Sequence, residues 1–378
     1  MFHRPTISGI RLDAAGLIAL ADLKTIARRT ALIGSASFLD VLYLSPGIHC
    51  QQDASEINGG EYPLTGAMHS AGGWVFRVEN PATVSFLQGV GKSGHLTTVR
   101  VSKETKEGTL GLFGELLRTE FWASILFLIG VVTSVVVIVL LVTVFRDWWA
   151  LGVLGMLMGA RVLNVCVIKL RQDKHGFKGS KEGNVEGDLL VILSQDRWVR
   201  MRGGVDDIKE VTAGQWLREP ETLESFAVSF ATLLVYCSAA LAGNTTTAGS
   251  LLLACLLLFS AGILGLANAA THSLHMFGRM VTVEDEPLRY ERRLTMVKDM
   301  IQETRHTEWA LRMSMITEPE VADLKKAIER GRCNNDTYPH VTYCSFQIRK
   351  RRQYKRQQEH KTWPRSSIVV PAAIPRFH

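Results

Sequence analysis

Polar residues interrupt two apolar stretches of this sequence that are long enough to form membrane helices. Arg161 and Asn164 lie between Trp148 and Ile168, and Asn268 lies near the end of a later stretch. A charged side chain at the centre of a membrane helix costs roughly 2.5 to 3.5 kcal/mol on insertion scales. We therefore treat Arg161, Asn164 and Asn268 as the candidate intramembrane polar residues.

Two interpretations of Arg161 remain open. It precedes Lys169 by eight residues, which is about 12 Å along a helix axis. Its guanidinium can therefore extend to the lipid headgroups, and this snorkelling interpretation is favoured. The alternative places Arg161 inside a helix bundle, with Asn164 and polar groups of other helices as its partners.

A basic segment with an interleaved aromatic residue is a second candidate for chemistry, here for contact with anionic lipid or with a protein partner. Two aspartates follow it and can neutralise its charge. A solvated strand face is the favoured interpretation. The residues of this segment are Arg197, Trp198, Arg200, Arg202, Asp206 and Asp207.

Residues that can ligate metals are present, but their spacing is poor. Cys333, His340 and Cys344 offer three ligands, whereas a structural zinc site uses four with close paired spacing. His272 and His275 would share one helix face without a nearby carboxylate. The sequence therefore predicts no metal site and no cofactor, and its six cysteines show no disulfide framework.

The C-terminal segment carries a dense basic cluster without apolar periodicity, which is typical of a disordered tail. A cluster near an anionic membrane gains ~1 kcal/mol per charge, so contact with anionic lipid is predicted. A protein partner remains possible, and no nucleic-acid partner is expected. The basic residues of the cluster are Arg349, Lys350, Arg351, Arg352, Lys355 and Arg356.

Four apolar stretches must position these residues. They cover 122–145, 148–168, 225–242 and 248–270, and the chain has no Asp, Glu, Lys or Arg from Ser225 to Gly278. About 20 apolar residues in a helix cross a hydrocarbon core of ~30 Å. Because only short turns join the first stretch to the second and the third to the fourth, the sequence predicts two transmembrane hairpins.

The distribution of lysine and arginine predicts the orientation. Nine lie within 171–222, eleven within 1–120 and twenty after residue 278, whereas the two short turns carry only Arg146. Positive residues near helix ends favour the cytoplasmic side. Both termini and the central loop are therefore predicted to be cytoplasmic, in a membrane that the sequence does not specify.

The predicted fold is mainly α: a polytopic helical membrane protein with four transmembrane helices in two hairpins and a small cytoplasmic α/β element between them. That element is read from two alternating strands and a short helix within 187–216. An apolar patch, Ala31 to Ser45, is too short for a span and is interpreted as soluble core or as interfacial. The predicted segments are an N-terminal cytoplasmic region (1–120), hairpin 1 (121–170), the loop element (171–222), hairpin 2 (223–278), cytoplasmic helices (279–331) and the basic tail (332–378).

Two sequence blocks carry a resemblance to a known group of proteins. GDLLVILSQDRWVRMRG, from Gly187 to Gly203, is followed by VDDIKEVTAGQWLR, from Val205 to Arg218. Together they resemble uncharacterised multi-pass membrane proteins of filamentous fungi, and the likeness covers roughly residues 110–317. The resemblance implies a membrane protein and brings no activity, substrate or catalytic residue with it.

Three functions remain open from the sequence. A non-enzymatic anchor, adaptor or complex subunit is favoured, because no stretch carries a chemical signature. A transporter or channel component needs polar residues that converge between helices, and only Arg161, Asn164 and Asn268 offer themselves. A membrane-embedded enzyme ranks last, since the spans lack clustered histidines or acidic pairs.

Overall fold

The computed structural model describes residues 14–70, 72–103, 121–172, 176–183 and 185–329. These residues form a mainly helical structure with one mixed sheet of eight strands. The chain up to Ile316 forms one compact unit, and the helix Glu318–Glu329 belongs to a second unit. The predicted basic tail lies outside the described residues.

The helices, in chain order, are α1 (Ala14–Ala19), α2 (Thr25–Ile33), α3 (Pro81–Val90), α4 (Phe121–Leu140), α5 (Trp148–Arg171), α6 (Val205–Thr212), α7 (Thr222–Leu241), α8 (Thr247–Ala270), α9 (Arg293–Thr304), α10 (Glu308–Arg312) and α11 (Glu318–Glu329). The strands are β1 (Leu64–Ala67), β2 (Val75–Arg77), β3 (His95–Lys103), β4 (Glu186–Leu193), β5 (Arg197–Gly204), β6 (Ser273–Met276), β7 (Arg279–Val283) and β8 (Leu288–Arg289). Short 3-10 helices cover Phe38–Leu42, Ile48–Ser55 and Ala242–Asn244, and a π-helical turn, Leu141–Phe145, extends α4.

Within the described residues, four helices are long and apolar enough to span a membrane, which confirms the predicted number of membrane-length apolar helices. They are Trp122–Phe145, Trp148–Arg171, Thr222–Asn244 and Thr247–Ala270. Large apolar side chains cover their outer faces, among them Trp122, Val132 and Leu258. Such outward apolar faces are what lipid contact requires.

The four apolar helices pack mainly between hairpins, not within them. Helix α4 packs on α8, and α5 packs on α7. At one end of the bundle, Asp147 joins the two short turns by accepting hydrogen bonds from the backbone N–H (2.8 Å) and hydroxyl (2.7 Å) of Thr246. We call this the turn end of the bundle, and the opposite end, which joins the sheet, the sheet end.

Residues 14–55, which belong to the predicted cytoplasmic N-terminal region, pack against the four apolar helices. Helix α1 contacts both α7 and α8, while Phe38–Leu42 contacts α4 and α5. The third piece, Ile48–Ser55, lies against α5 and α7. Because polar residues such as Asp40 interrupt this segment, its hydrophobicity alone does not show that it packs in the bundle.

The sheet has the strand order β2-β1-β4-β5-β3-β7-β6, with β8 also paired to β3. Among the strand pairs that the structure describes, only β3–β5 is parallel, with Leu96 opposite Trp198. Alternate residues of β4 and β5, including Val191 and Val199, share a hydrophobic core with Val165 and Ile168 of α5. The sheet therefore packs against the end of the bundle that is opposite the two short turns.

The predicted α/β element was too small. Its hairpin exists as β4 and β5, and its helix exists as α6, but both belong to the eight-stranded sheet. Strands β1 to β3 come from the N-terminal region, and β6 to β8 follow the last apolar helix. Residues 279–289, predicted to be part of a helical segment, therefore include two strands.

Candidate functional site

Arg161 points into the bundle, where only 3% of its surface is exposed. Its Nε donates to the backbone carbonyl of Asp40 at 3.0 Å, and its Nη1 donates to Oε1 of Gln51 at 2.7 Å. Both acceptors belong to the N-terminal segment 14–55. The favoured snorkelling interpretation does not describe this side chain, since its guanidinium bonds inside the bundle.

Asn164 lies one turn further along α5 and is fully buried. Its Nδ2 donates to the carbonyl of Ile48 at 3.2 Å, and its Oδ1 accepts from Nε2 of Gln52 at 3.1 Å. The same Gln52 accepts from Nη1 of Arg171 at 2.8 Å. Three polar residues of α5 therefore bind one short stretch of the N-terminal segment.

Asn268 lies near the sheet end of α8, apart from the other two candidates. Its Nδ2 donates to the carbonyl of Thr25 at 2.8 Å, where α2 begins. Its Oδ1 is buried and has no hydrogen-bond partner in the part of the chain that the structure describes. The structure thus divides the three sequence candidates between two places, both in contact with residues 25–52.

Tyr43 is the central aromatic contact of the N-terminal segment, and sequence analysis missed it. Its ring stacks on Phe127 with centroids 5.0 Å apart, and its hydroxyl donates to the carbonyl of Ser260 at 2.9 Å. At Gly130, a Cβ atom would overlap the Tyr43 ring. The position of Tyr43 inside the apolar patch Ala31 to Ser45 was the one sequence signal for its role. Its contact partners are far away in the sequence, so no local pattern identifies them.

A second buried arginine, Arg29 of α2, lies close to the Tyr43 contacts. Its Nη1 donates to Oγ1 of Thr271 at 3.2 Å, and its guanidinium lies 5.5 Å from the centroid of the Phe127 ring. A cation over an aromatic face is stabilised by the ring quadrupole. Arg29 therefore ties α2 both to the end of α8 and to α4.

The basic strand β5 lies in an ion-pair cluster and not on a solvated face. Arg200 is 5% exposed and forms a two-pronged pair with Asp188, with Nε at 2.8 Å from Oδ1. The carboxylate of Glu303 accepts from Nη1 of Arg200 and from Nη2 of Arg202, both at 2.7 Å. Burial by itself would lower the pKa of the Arg200 guanidinium. Its hydrogen bonds to Asp188 and Glu303 outweigh this effect and raise the pKa above the ordinary value for arginine.

The other candidates of this segment also make internal contacts. Arg197 donates from Nη1 to the carbonyl of Gln88 at 2.9 Å, and Trp198 is buried. Asp207 pairs with Arg279 at 2.5 Å, and Asp206 accepts the backbone N–H of Glu182 at 2.8 Å. These residues therefore hold together the eight-stranded sheet and the helix α6 that packs on it, which we call the sheet unit. The aspartates do not neutralise β5 as the sequence suggested.

One group of three metal-ligating side chains occurs within the described ranges, and sequence analysis missed it. Asp22, His49 and Cys50 place one ligand atom each within 4.8 Å of the others. The adjacent pair His49-Cys50 was a signal, but the third ligand lies 27 residues from His49. Cys333, His340 and Cys344, which sequence analysis considered as metal ligands, lie outside the described residues.

Comparison with protein-family models, curated proteins and solved structures found no match to the chain. The resemblance to fungal multi-pass membrane proteins therefore stays a prediction.

Proposed function

We propose that the protein is a non-enzymatic membrane anchor or complex subunit, whose bundle holds the sheet unit at a membrane surface for protein partners. One observation carries this proposal. Arg161, Asn164 and Asn268 each donate to a backbone carbonyl of the N-terminal segment. Polar groups that bind their own chain in this way serve assembly, because their donors are used in the folded protein.

The sheet unit supports the same proposal. Its strands come from before, between and after the two hairpins, so the bundle cannot move away from it without breaking strand pairs. The most buried charges of the sheet, on Arg200 and Asp188, are paired with each other. Rigid attachment and internal charge pairing suit a unit that presents a surface and does not perform acid–base chemistry.

The assembly role of Arg161 is testable by a double-mutant cycle with Gln51 on the detergent-solubilised full chain. We expect Arg161→Met and Gln51→Leu each to lower the free energy of unfolding by about 1 to 3 kcal/mol, because each leaves a buried polar partner unpaired. The double variant should lose less than the sum, since directly bonded residues couple by about 0.5 to 3 kcal/mol.

The matched control pairs Arg161→Met with Arg28→Met, because Arg28 is an exposed arginine of α2. That cycle should be additive. If Arg161→Met has wild-type stability, the assembly role of Arg161 is wrong.

The partner role needs a test in native membranes. An epitope-tagged chain extracted in mild detergent should migrate as a larger complex than the purified chain does in the same detergent. Equal migration of the two samples would contradict a role as a complex subunit. Because the purified chain contains no other protein, its migration gives the size of any homo-oligomer and serves as the control.

A transporter or channel component is the second candidate, and one observation favours it. Residues 20–24, between α1 and α2, are not helical; Leu20 packs against the bundle core, whereas Asp22, Leu23 and Lys24 are exposed. Interrupted helices line substrate and ion sites in many transporters. Potassium, chloride or proton flux into proteoliposomes above that of empty vesicles, lost in Asp22→Asn, would favour transport over anchoring.

A further inference from the structure

The N-terminal segment runs along the bundle from its turn end to its sheet end. Gly16 lies against the backbone of Ala239, near the end of α7, and α1 also contacts the turn Ala242–Asn244. Thr25, at the start of α2, receives the hydrogen bond from Asn268 at the sheet end. The interruption between α1 and α2 therefore lies between the two ends of the bundle.

Contacts of His49 fix the level of this interruption. The carbonyl of Ile48 binds Asn164 in the sheet-end half of α5, and the His49 ring lies 6.2 Å from the ring of Tyr236 in the turn-end half of α7. Asp22 contacts the same imidazole. The interruption and its polar side chains consequently lie near the middle of the bundle.

Asp22, His49 and Cys50 converge at this level. Nε2 of His49 lies 2.7 Å from Oδ1 of Asp22, and the Cys50 thiol donates to the same oxygen at 3.8 Å. The His49 side chain is 9% exposed, whereas that of Asp22 is 83% exposed. The cluster therefore has two anchored ligands and one that is free to adjust from an open side.

A carboxylate at the level of apolar helices is costly unless it is paired, and Asp22 contacts His49 and Cys50 there. A divalent cation would compensate Asp22 and, together with a thiolate, give a neutral site. Imidazole nitrogen, thiolate sulfur and carboxylate oxygen are the three ligand types that zinc uses in proteins.

We propose that Asp22, His49 and Cys50 form a binding site for a divalent transition metal ion of the zinc type. On binding, Cys50 loses its thiol proton to solvent and forms a metal–sulfur bond. His49 contributes the lone pair of Nε2, and Asp22 contributes one carboxylate oxygen. The sum of +2 on the metal and −1 each on Cys50 and Asp22 is zero, and the exposed side of Asp22 leaves space for a fourth ligand.

The present distances fit this site after a small movement. Zinc binds sulfur at about 2.3 Å and nitrogen or oxygen at about 2.0 to 2.2 Å. Nε2 of His49 and Oδ1 of Asp22, now at hydrogen-bond distance, must separate slightly to admit the ion. The exposed Asp22 side chain can make that movement, since it is the least confined of the three.

Cobalt(II) is the probe, because a thiolate ligand gives it a sulfur-to-metal charge-transfer band. Titration of the full-length protein in detergent should produce this band at one equivalent, with displacement by zinc and release of a proton. The band should disappear in Cys50→Ser and weaken in His49→Ala. Cys166→Ser is the matched control, since Cys166 is also a partly buried free thiol, and it should keep the band.

A second measurement does not depend on variants. Zinc should slow alkylation of Cys50 in the wild-type chain, followed residue by residue by mass spectrometry, and leave alkylation of Cys166 unchanged. The proposal is overturned if wild-type protein gives no charge-transfer band, if Cys50→Ser keeps it, or if zinc leaves Cys50 alkylation unchanged. None of these outcomes bears on the anchoring role.

Discussion

Gly130 shows at the level of one residue how closely the N-terminal segment packs on α4. Alanine favours a helix over glycine by about 1 kcal/mol, yet a Cβ here would overlap the Tyr43 ring. Overpacking of this kind costs typically 1 to 3 kcal/mol. We expect Gly130→Ala to lower the free energy of unfolding by about 1 kcal/mol, the middle of the overpacking cost less the helix-propensity gain, measured by thermal unfolding in detergent.

Gly152 is the matched control for this prediction. It lies in α5, and a Cβ atom built there would meet no atom within 4 Å. Gly152→Ala should therefore leave stability unchanged or raise it by up to about 1 kcal/mol. Equal effects of the two substitutions would mean that Tyr43 does not pack against α4 as described.

Asp299 of α9 gives the protein a pH-dependent term in its stability. Burial raises the pKa of the Asp299 carboxyl to about 6, assisted by nearby Glu303 and opposed by a hydrogen bond from Tyr290. In the unfolded chain the carboxyl titrates near 3.8. The folded protein therefore binds the proton more tightly, and stability falls as pH rises through the window from about 4 to 6.

Asp299→Asn removes this term. Because the side chain is partly solvated, we expect the variant to exceed the wild type by only on the order of 1 kcal/mol at pH 7.5. At pH 5 the advantage should shrink, since the wild-type carboxyl is then mostly protonated. Thermal unfolding at both pH values measures the difference, and an advantage that does not change with pH would refute the assignment. Asp196→Asn, at an exposed carboxylate, is the control.

At the scale of elements, the ion-pair cluster joins β4, β5 and α9. The Arg200 and Asp188 side chains are 6% and 16% exposed, and Glu303 bridges from α9 to both arginines of β5. Removing one partner of a buried pair leaves an uncompensated charge, which costs about 3 to 5 kcal/mol. Because Glu303 remains beside Arg200, we expect Asp188→Asn to cost about 2 to 3 kcal/mol.

Asp196→Asn provides the comparison for this cluster, because Asp196 pairs with Arg293 on the surface, where both side chains are about half exposed or more. Exposed pairs contribute about 0 to 1 kcal/mol. Chemical unfolding at low salt should therefore show a clearly larger loss of stability for Asp188→Asn than for Asp196→Asn. Similar losses in both would show that the Arg200 pair is no stronger than a surface pair.

The same elements show what local sequence can predict. The hairpin of β4 and β5 was predictable, because alternating residues and the turn at Gln195 and Asp196 are all local. The parallel pairing of β5 with β3 joins residues about a hundred positions apart, and no local pattern encodes it. Glu303 was missed as the partner of Arg200 and Arg202 for the same reason.

The apolar helices were predictable because their signal is long and continuous, whereas the location of residues 14–55 was not. Arg161 alone does not reveal whether it reaches lipid headgroups or the carbonyl of Asp40, 121 residues earlier. The choice depends on a segment whose own hydrophobicity is interrupted by Asp22, Lys24 and Asp40. Asp22 is paired with His49, and Asp40 accepts a hydrogen bond from the backbone N–H of Ser37, but the sequence alone shows these residues only as charges.

At the scale of the whole molecule, two hydrophobic cores meet along α2 and α5. Ile26 belongs to the bundle core and Ala27 to the sheet core, while α5 contributes Leu157 to the first and Ile168 to the second. Asp147 closes the far end by joining the two turns. The bundle is therefore tied at both ends, and residues 14–25 extend between these ends.

This arrangement makes a prediction about membrane topology that differs from the charge distribution. If the four apolar helices cross the membrane, the sheet and the turn 242–244 lie on opposite sides. Because α1 contacts that turn while α2 lies at the sheet end, residue 14 should lie on the side of the turn. The lysine and arginine distribution placed it with the sheet.

Single cysteines at positions 14, 180 and 244 test this in a background with the six native cysteines replaced by serine. A membrane-impermeant maleimide should label Ala14→Cys and Asn244→Cys from one side of sealed vesicles and Ser180→Cys from the other. Ser180 and Asn244 are exposed, so lack of access does not limit their labelling. Labelling of position 14 together with 180 would restore the cytoplasmic N-terminus, and labelling of 180 and 244 from the same side would refute the four-span arrangement itself.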